Sequence, residues 1–428
     1  MVRPGMRRWW PCALALVVAA CTAVPKTQEA PQAMAPPPVL REFRGAWVAA
    51  VSNIDWPSRR DLTVAQQQEE LVRIVERAKA IGLNALIVQV RPAADALYAS
   101  AIEPWSEYLT GQQGKGPEPF YDPLAMWIAE AHRRGIELHA WFNPYRARHP
   151  SARSALAPGH VANTMPGIVK AYGEHLWLDP GEAASAQRTL EVITDVTRRY
   201  DVDGIHIDDY FYPYPEKAPD GSELAFPDDA SWAQYKLSGG VLSRDDWRRT
   251  NVDALVKSIN EAVHREKPWV KFGVSPFGVG RPDLRPPGVT GFSQYDRIYA
   301  NVELWLAQGW LDYLAPQLYW PVETPGQPFA ILLDAWTRAN RAGRHVWPGF
   351  FTSRIDDTPK SWSVDEIANQ VAITRARAVG GHIHFSMAAL MQNRQGIADR
   401  LKALYAVPAL VPLSPWLAPN PNPLMRSK

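Results

Sequence analysis

One unit recurs along this chain and restricts what it can fold into: a helical stretch, a glycine, a short apolar strand, then a polar or aromatic loop. Gly82, Gly135, Gly309, Gly343 and Gly380 each close a helical stretch and are followed within a few residues by ALIVQV, IELHAWF, LDYLAPQLY, HVWPGF or HIHFS. A glycine just past a helix end takes the left-handed conformation that turns the chain back into a strand. Eight strands are expected, at residues 44–50, 85–90, 136–142, 203–208, 270–275, 312–318, 345–350 and 381–386. Eight alternating units with right-handed crossovers close naturally into an α/β fold, the (β/α)8 TIM barrel. An open doubly wound sheet is the alternative. The first strand leads into GAWVAAVSNIDWP, which lacks the glycine-rich phosphate fingerprint that such a sheet often carries.

The helices announce themselves by periodicity and caps. Leu71, Ile74, Val75 and Ala78 share one face of residues 66–80, and Trp247, Val252, Leu255, Ile259 and Val263 share one of residues 243–266. Ser363 with Glu366 fits a capping box, and Asp122 with Pro123 an N-cap followed by a first-turn proline. Three βα loops, at residues 91–121, 143–180 and 209–242, are far longer than a minimal connection and rich in Tyr, Trp, Pro and Gly. In a barrel they would all rise from the carboxyl rim of the strands, where binding sites form.

The two ends stand apart from this pattern. Arg3, Arg7 and Arg8 precede an apolar run, Ala13 to Ala20, that is too short to span a bilayer. This reads as an export signal over residues 1–20, and Val18-Ala19-Ala20-Cys21 looks like a lipobox with Cys21 as the lipidated residue. An ordinary signal peptide cut nearby is the other reading. By resemblance to such lipoproteins, Thr22 at the next position favours the outer membrane, hence a periplasmic protein held by a lipid anchor. Residues 21–40 form a Pro/Ala-rich tether, residues 41–407 the barrel, and residues 408–428 a proline-studded tail expected to be irregular and draped on the surface. The only other cysteine, Cys12, falls within the signal, so the mature fold is expected to have no disulfide and no thiol nucleophile. With 46 basic against 44 acidic residues and no concentrated basic face, nucleic acid is not an expected partner.

The segment DVDGIHIDDYFYPYP, residues 201–215, is the chemical centre. It reads as a tight Asp-Gly turn, then a strand with Ile205 and Ile207 on one side and His206 and Asp208 on the other. A strand buried on both faces should be continuously apolar, so ionisable groups there need a reason. Alternation also puts Gln89 and Arg91, His139, Trp141 and Asn143, Gln317 and Tyr319, and His382, His384 and Ser386 on inner faces, with Asp55 and Asp95 in nearby loops. Such a rim suits a hydroxyl-rich ligand. The 18 Trp and 15 Tyr agree, because flat sugar faces stack on aromatics; Trp56, Trp105, Trp141, Tyr145, Tyr210, Phe211, Tyr212, Tyr214, Tyr319 and Trp320 fall in or beside the loops. Glycoside cleavage needs an acid and usually a second carboxylate. Asp208, at a strand end on the polar face, is the first candidate and Asp209 the second; adjacent carboxylates repel, which can keep one protonated near neutrality. Asp209 capping the loop is the structural alternative. His206 with the two aspartates and His139 or His384 could instead hold a metal for a deacetylase or phosphoesterase, but no HExxH motif stands here, the one closely spaced pair, His382 and His384, more simply points into the barrel, and neither metal nor cofactor is expected.

Several stretches together resemble one family. REFRGAWVAAVSNIDWPS, GLNALIVQVRPAADALYASAIEPWSEYLTG, YDPLAMWIAEAHRRGIELHAWFNPYR, HLWLDPG, DVDGIHIDDYFYPYP, KFGVSPFG and DYLAPQLYW look like the glycosyl-hydrolase-like 10 family, from about Arg41 to Ala406. The resemblance implies a TIM-barrel glycosidase of bacterial envelopes; similar proteins include a division-site lipoprotein that cuts peptidoglycan strands lacking stem peptides. It therefore implies peptidoglycan glycan as substrate and division-machinery proteins as partners. Carried over by motif, the family's rim residues fall on Asp55, Arg91, Asp95, Asn143, Tyr145, Asp208, Asp209, Gln317 and Tyr319. The motif after the fifth strand departs, because SPFGVGRPD lacks the tryptophan that similar proteins usually place before the arginine. Asp208 and Asp209 are expected to be catalytic. Asp55, Arg91, Asp95, His139, Trp141, Asn143, Tyr145, His206, Tyr210, Gln317, Tyr319 and Trp320 are expected to bind substrate. Two other chemistries fit the same residues: a glycan-binding protein without activity, and a lytic enzyme that leaves an anhydro sugar.

Overall fold

The computed structural model describes residues 39–421, together with Trp10. The rest of the expected signal, Cys21 and all but the last two tether residues lie outside the described residues, as do residues 422–428. From Val39 onward the chain forms one unit built on eight parallel strand positions. These are β1 (Phe43–Val48), β2 (Ala85–Arg91), β3 (Glu137–Phe142), β4 (Gly204–Ile207), β5 (Lys271–Val274), β6 (Tyr313–Leu314), β7 and β8 (Gly381–His384). The strand β7 comes in two pieces, His345–Val346 and Gly349–Phe350, interrupted at Trp347 and Pro348, where proline cannot donate to a ladder. The first piece pairs with β6 and the second with β8. The two edges of the sheet are thus halves of one strand, and the sheet closes on itself as a barrel.

Each strand leads to an outer helix: α1 (Val64–Ile81), α2 (Pro123–Arg133), α3 (Ala183–Arg199), α4 (Arg244–Glu266), α5 (Val302–Gln308), α6 (Phe329–Ala339), α7 (Val364–Ala376) and α8 (Ile397–Leu404). The expected caps form. Asp122 accepts from the Ala125 N–H behind Pro123, and Gly82, in the left-handed region at φ 96°, ends α1. Only half of the capping box at Ser363 is present: Ser363 accepts from the Glu366 N–H, while the Glu366 carboxylate accepts from Val322 N–H instead.

Two apolar cores result. The larger lies between the outward strand faces and the helices, and the smaller fills the barrel with Phe43, Trp47, Ile87, Trp141, Tyr313 and Trp347. The interior is stacked in layers. Phe43 and Trp347 lie parallel at 3.9 Å between ring centroids near the amino-terminal end, and Trp141 comes last, towards the carboxyl rim. Rings this large need gaps opposite them. A Cβ on Gly273 would lie 2.0 Å from the Tyr313 ring, and one on Gly204 would lie 2.5 Å from His139 Nδ1. Gly204 is therefore not the turn residue its Asp-Gly context implies; it opens β4 and makes room for an imidazole.

The long loop of residues 143–180 carries structure that periodicity did not announce, a three-stranded antiparallel sheet of Arg146–Arg148, Val169–Tyr172 and His175–Leu178. The tail is irregular as expected and runs across the amino-terminal mouth of the barrel. Leu410 bonds the backbone at Leu40 and Glu42, and the Trp416 indole donates to Asp312 at 2.7 Å.

Candidate active site

At the carboxyl rim a cavity of about 310 Å³ is bordered by Asp208, Asp209, Trp141, Arg146, Tyr210 and Gln317, among others. The two aspartates follow directly on β4, whose four residues are all buried. Asp208 Oδ2 accepts from the Trp141 indole at 3.0 Å, and the Asn143 amide lies 3.2 Å from both of its oxygens. Burial, and secondarily the charge of Asp209, push the Asp208 carboxyl up from 3.8 to about 7, against the nearby Arg146 cation and the two donors. Asp209 is also raised by burial, and the Tyr214 hydroxyl and the Gln317 amide stabilise its anion. Two neighbouring carboxyls thus meet different surroundings, which is the condition under which one holds a proton while the other stays ionised.

Below the aspartates the imidazoles form a chain. The Trp47 indole can only donate, and it reaches His206 Nε2 at 3.2 Å, so that nitrogen accepts and the His206 proton sits on Nδ1. Nδ1 donates to the Tyr313 hydroxyl at 2.9 Å, the hydroxyl to His139 Nδ1 at 2.8 Å, and His139 Nε2 to Glu137 at 3.2 Å. Lys271 closes the series on Glu137 at 3.0 Å. Ser275 Oγ, on the cavity wall, lies 2.9 Å from His206 Nε2. Burial, with His139 nearby, holds His206 far below its ordinary value, so it is neutral.

The cavity wall therefore includes Asp208, Asp209, Trp141, Tyr210, Gln317 and Tyr319 of the expected site residues. The others do not border it. His139 and His206 point into the barrel as alternation requires, but at lower layers. Arg91 departs from alternation because the register shifts between Gln89 and Arg91. Gln89 keeps the inner face, while Arg91 turns into a fully buried ion pair with Glu103 at 2.6 Å and holds the Asn143 carbonyl at 2.7 Å. Asn143 spends its amide on Asp208 and its carbonyl oxygen on the Arg146 N–H, so it orients the carboxyl rather than meeting a ligand. Asp55 accepts from Ala49 N–H, Ser386 Oγ–H and Ala388 N–H, tying the β1 and β8 loops together. Asp95 accepts from Ala93 N–H and the Gln113 amide within the loop that follows β2. Tyr145 is fully buried, and Trp320 packs edge-on against Phe277. Among the described residues, no three of His, Cys, Asp and Glu converge as metal ligands.

The wall residues that escaped the sequence reading include Trp47, Arg146, His149 and Ser275. Arg146 had a signal, since it ends the stretch AWFNPYR that leaves β3 and follows directly on Asn143 and Tyr145. Trp47 had none, because an apolar residue inside an apolar strand looks like core.

Residues 42–374 match the sequence profile of the family described as Glycosyl hydrolase-like 10. The chain is 42% identical over 387 residues to the glycosyl hydrolase YngK of Bacillus subtilis (strain 168), across 88% of this chain and 74% of that protein. It is 34% identical over 349 residues to the glycosyl hydrolase DigH of Escherichia coli (strain K12), across 76% of this chain and 77% of that one. Among solved structures, the PgaB (BpsB) glycoside hydrolase domain from Bordetella bronchiseptica superposes with a TM-score of 0.53 at 14% identity, covering 88% of this chain and all of that one. The catalytic domain of a β-amylase from Paenibacillus polymyxa gives 0.56 at 11% identity, covering 86% and 99%. These two likenesses are likenesses of fold, and both are to glycoside hydrolases.

Proposed function

The chain belongs to the glycosyl hydrolase-like 10 family and is a glycosidase by family and fold, and from that premise we propose that it hydrolyses glycosidic bonds in peptidoglycan glycan strands, in particular peptide-free ones. The observation that carries the reading is the adjacent pair Asp208 and Asp209 at the cavity wall, both buried and each held by different donors. Asp208 is the general acid. Its Oδ2 already takes the Trp141 indole, which leaves Oδ1 to carry the proton that the departing sugar oxygen receives. Asp209, stabilised as an anion by Tyr214 and Gln317, is the base or nucleophile, or it orients an acetamido group that attacks in its place. Trp141, Tyr210 and Tyr319 provide faces for sugar rings. The arginine-led apolar run ending at Cys21 supports a place in the cell envelope, lipid-anchored at the outer membrane.

The test is digestion of purified sacculi and of peptide-stripped glycan by the soluble domain and by Asp208→Asn and Asp209→Asn, with products read by mass spectrometry. New reducing ends from the parent protein that disappear with either variant are expected. Glycan bound but left intact by every form would make the barrel a binding module, and anhydro-sugar ends would make it a lytic enzyme.

A further inference from the structure

The least accounted-for group at the cavity is Arg146. It is 3% exposed, its Nε donates to the Pro92 carbonyl at 2.9 Å, and its guanidinium lies 4.9 Å from the centre of the Tyr210 ring. Its two terminal nitrogens make no hydrogen bond or ion pair with any described residue, yet the side chain borders the cavity. A buried cation left without a partner is costly, and partners for it lie close by in Asp208 and Asp209. They do not pair with it. Their oxygens are met by neutral donors, from Trp141 and Asn143 on one and from Tyr214 and Gln317 on the other. The fork of the guanidinium is thereby kept open towards the space a substrate enters.

Its neighbour on the wall has the matching chemistry. His149 Nδ1 accepts from the Ser151 N–H at 3.1 Å, so the ring proton sits on Nε2. Burial, helped by Arg146 and His175, pushes this imidazole down to about 4, so it is a neutral donor and not a second cation. One fixed cation beside one neutral N–H suits a planar anion of single charge, which a guanidinium grips through two parallel bonds. A doubly charged phosphate would face Asp208 and Asp209 across the same cavity.

We propose that Arg146 and His149 form an acidic-sugar subsite that binds a free carboxylate on the glycan and so selects strands whose carboxyl groups are unsubstituted. The inference rests on the glycan-hydrolase reading above. In peptidoglycan the group is the lactyl carboxylate of muramic acid, which becomes an amide wherever a stem peptide is attached. The subsite therefore chooses peptide-free strands by charge and by hydrogen-bond geometry rather than by bulk alone. It also serves the reaction, because a substrate carboxylate on Arg146 offsets the cation that disfavours protonation of Asp208.

The experiment compares peptide-free glycan with the same glycan after its carboxyl groups have been reduced to alcohols, for the parent protein, Arg146→Gln, Arg146→Lys and His149→Gln. The parent protein is expected to lose kcat/KM on the order of tenfold or more on the reduced glycan. Arg146→Gln brings the two substrates to about the same rate, Arg146→Lys keeps part of the difference, and His149→Gln narrows it. Equal cutting of both glycans by the parent protein, or full discrimination by Arg146→Gln, overturns the subsite while leaving the glycosidase standing. No cutting of either glycan by the parent protein overturns the glycan-hydrolase reading and the subsite with it. Should Arg146→Gln not fold by circular dichroism, the parent-protein comparison and His149→Gln decide the matter.

Discussion

Replacing Asp208 by Asn is expected to stabilise the fold at pH 8 while removing activity. Folding lifts this carboxyl from 3.8 to about 7. A group raised in this way favours the folded state while it is protonated, and that advantage is lost as pH climbs through the folded value. At about 1.4 kcal/mol per pH unit, the interval from 3.8 to 7 corresponds to roughly 4 kcal/mol of destabilisation fully present above about pH 7. Asparagine keeps the shape and cannot ionise. With its oxygen at the Oδ2 position it still accepts from Trp141 at 3.0 Å and from Asn143 at 3.2 Å. Urea unfolding of the parent domain and the variant across pH 4 to 8 should therefore give curves that coincide near pH 4 and separate as pH rises. The variant should be ahead by about 2 to 4 kcal/mol at pH 8. A gap that does not change with pH, or a variant less stable at pH 8, would refute the claim that burial holds this carboxyl protonated.

Three further outcomes follow from the same contacts. Tyr214→Phe removes the hydroxyl that donates to Asp209 and favours its anion, so the acidic limb of kcat/KM should move up by about 1 to 2 pH units, read from rates on peptide-free glycan. An unmoved limb would take Asp209 out of the titrating pair. Glu103→Ala strands the buried Arg91 cation and should cost about 3 to 5 kcal/mol in urea unfolding, most of it recovered when Arg91→Met is added. Asp55→Ala leaves the donors of Ala49, Ser386 and Ala388 unmet, so a loss of about 3 kcal/mol or more is expected together with lower turnover, whereas Asp55→Asn should keep part of both.

Alternation along the strands told correctly which side most side chains take, and this was enough to find Asp208, Trp141, Gln317 and Tyr319 at the cavity. On β8 the phase is the opposite of the one expected: Ile383 fills the barrel, while His382 and His384 face outwards and both bond the Tyr405 hydroxyl. It carries no information about height. His139 and His206 share the inner face with Trp141 and Asp208 but sit in lower layers of a filled barrel, where Tyr313 links them. Arg91 shows the other blind spot: a register shift beside Gln89 exchanges the sides, and nothing local in ALIVQVR marks it. Loop aromatics divide for a third reason. Tyr210 and Tyr319 reach the cavity, whereas Trp56, Tyr145 and Tyr212 are packed inside, because loops of this length fold on cores of their own. The strand order, by contrast, was readable from the recurring glycine and apolar run, since both are imposed by the αβ turn itself.

The tail across the amino-terminal mouth fixes more than a seal. Arg41 and Leu410 bridge each other there, so the first and last stretches of the folded body leave from the same pole, and the cavity opens at the other. A pull applied through Val39 therefore acts on the side away from the aspartates. Any surface to which that end were fastened would have the whole barrel standing between it and the cleft.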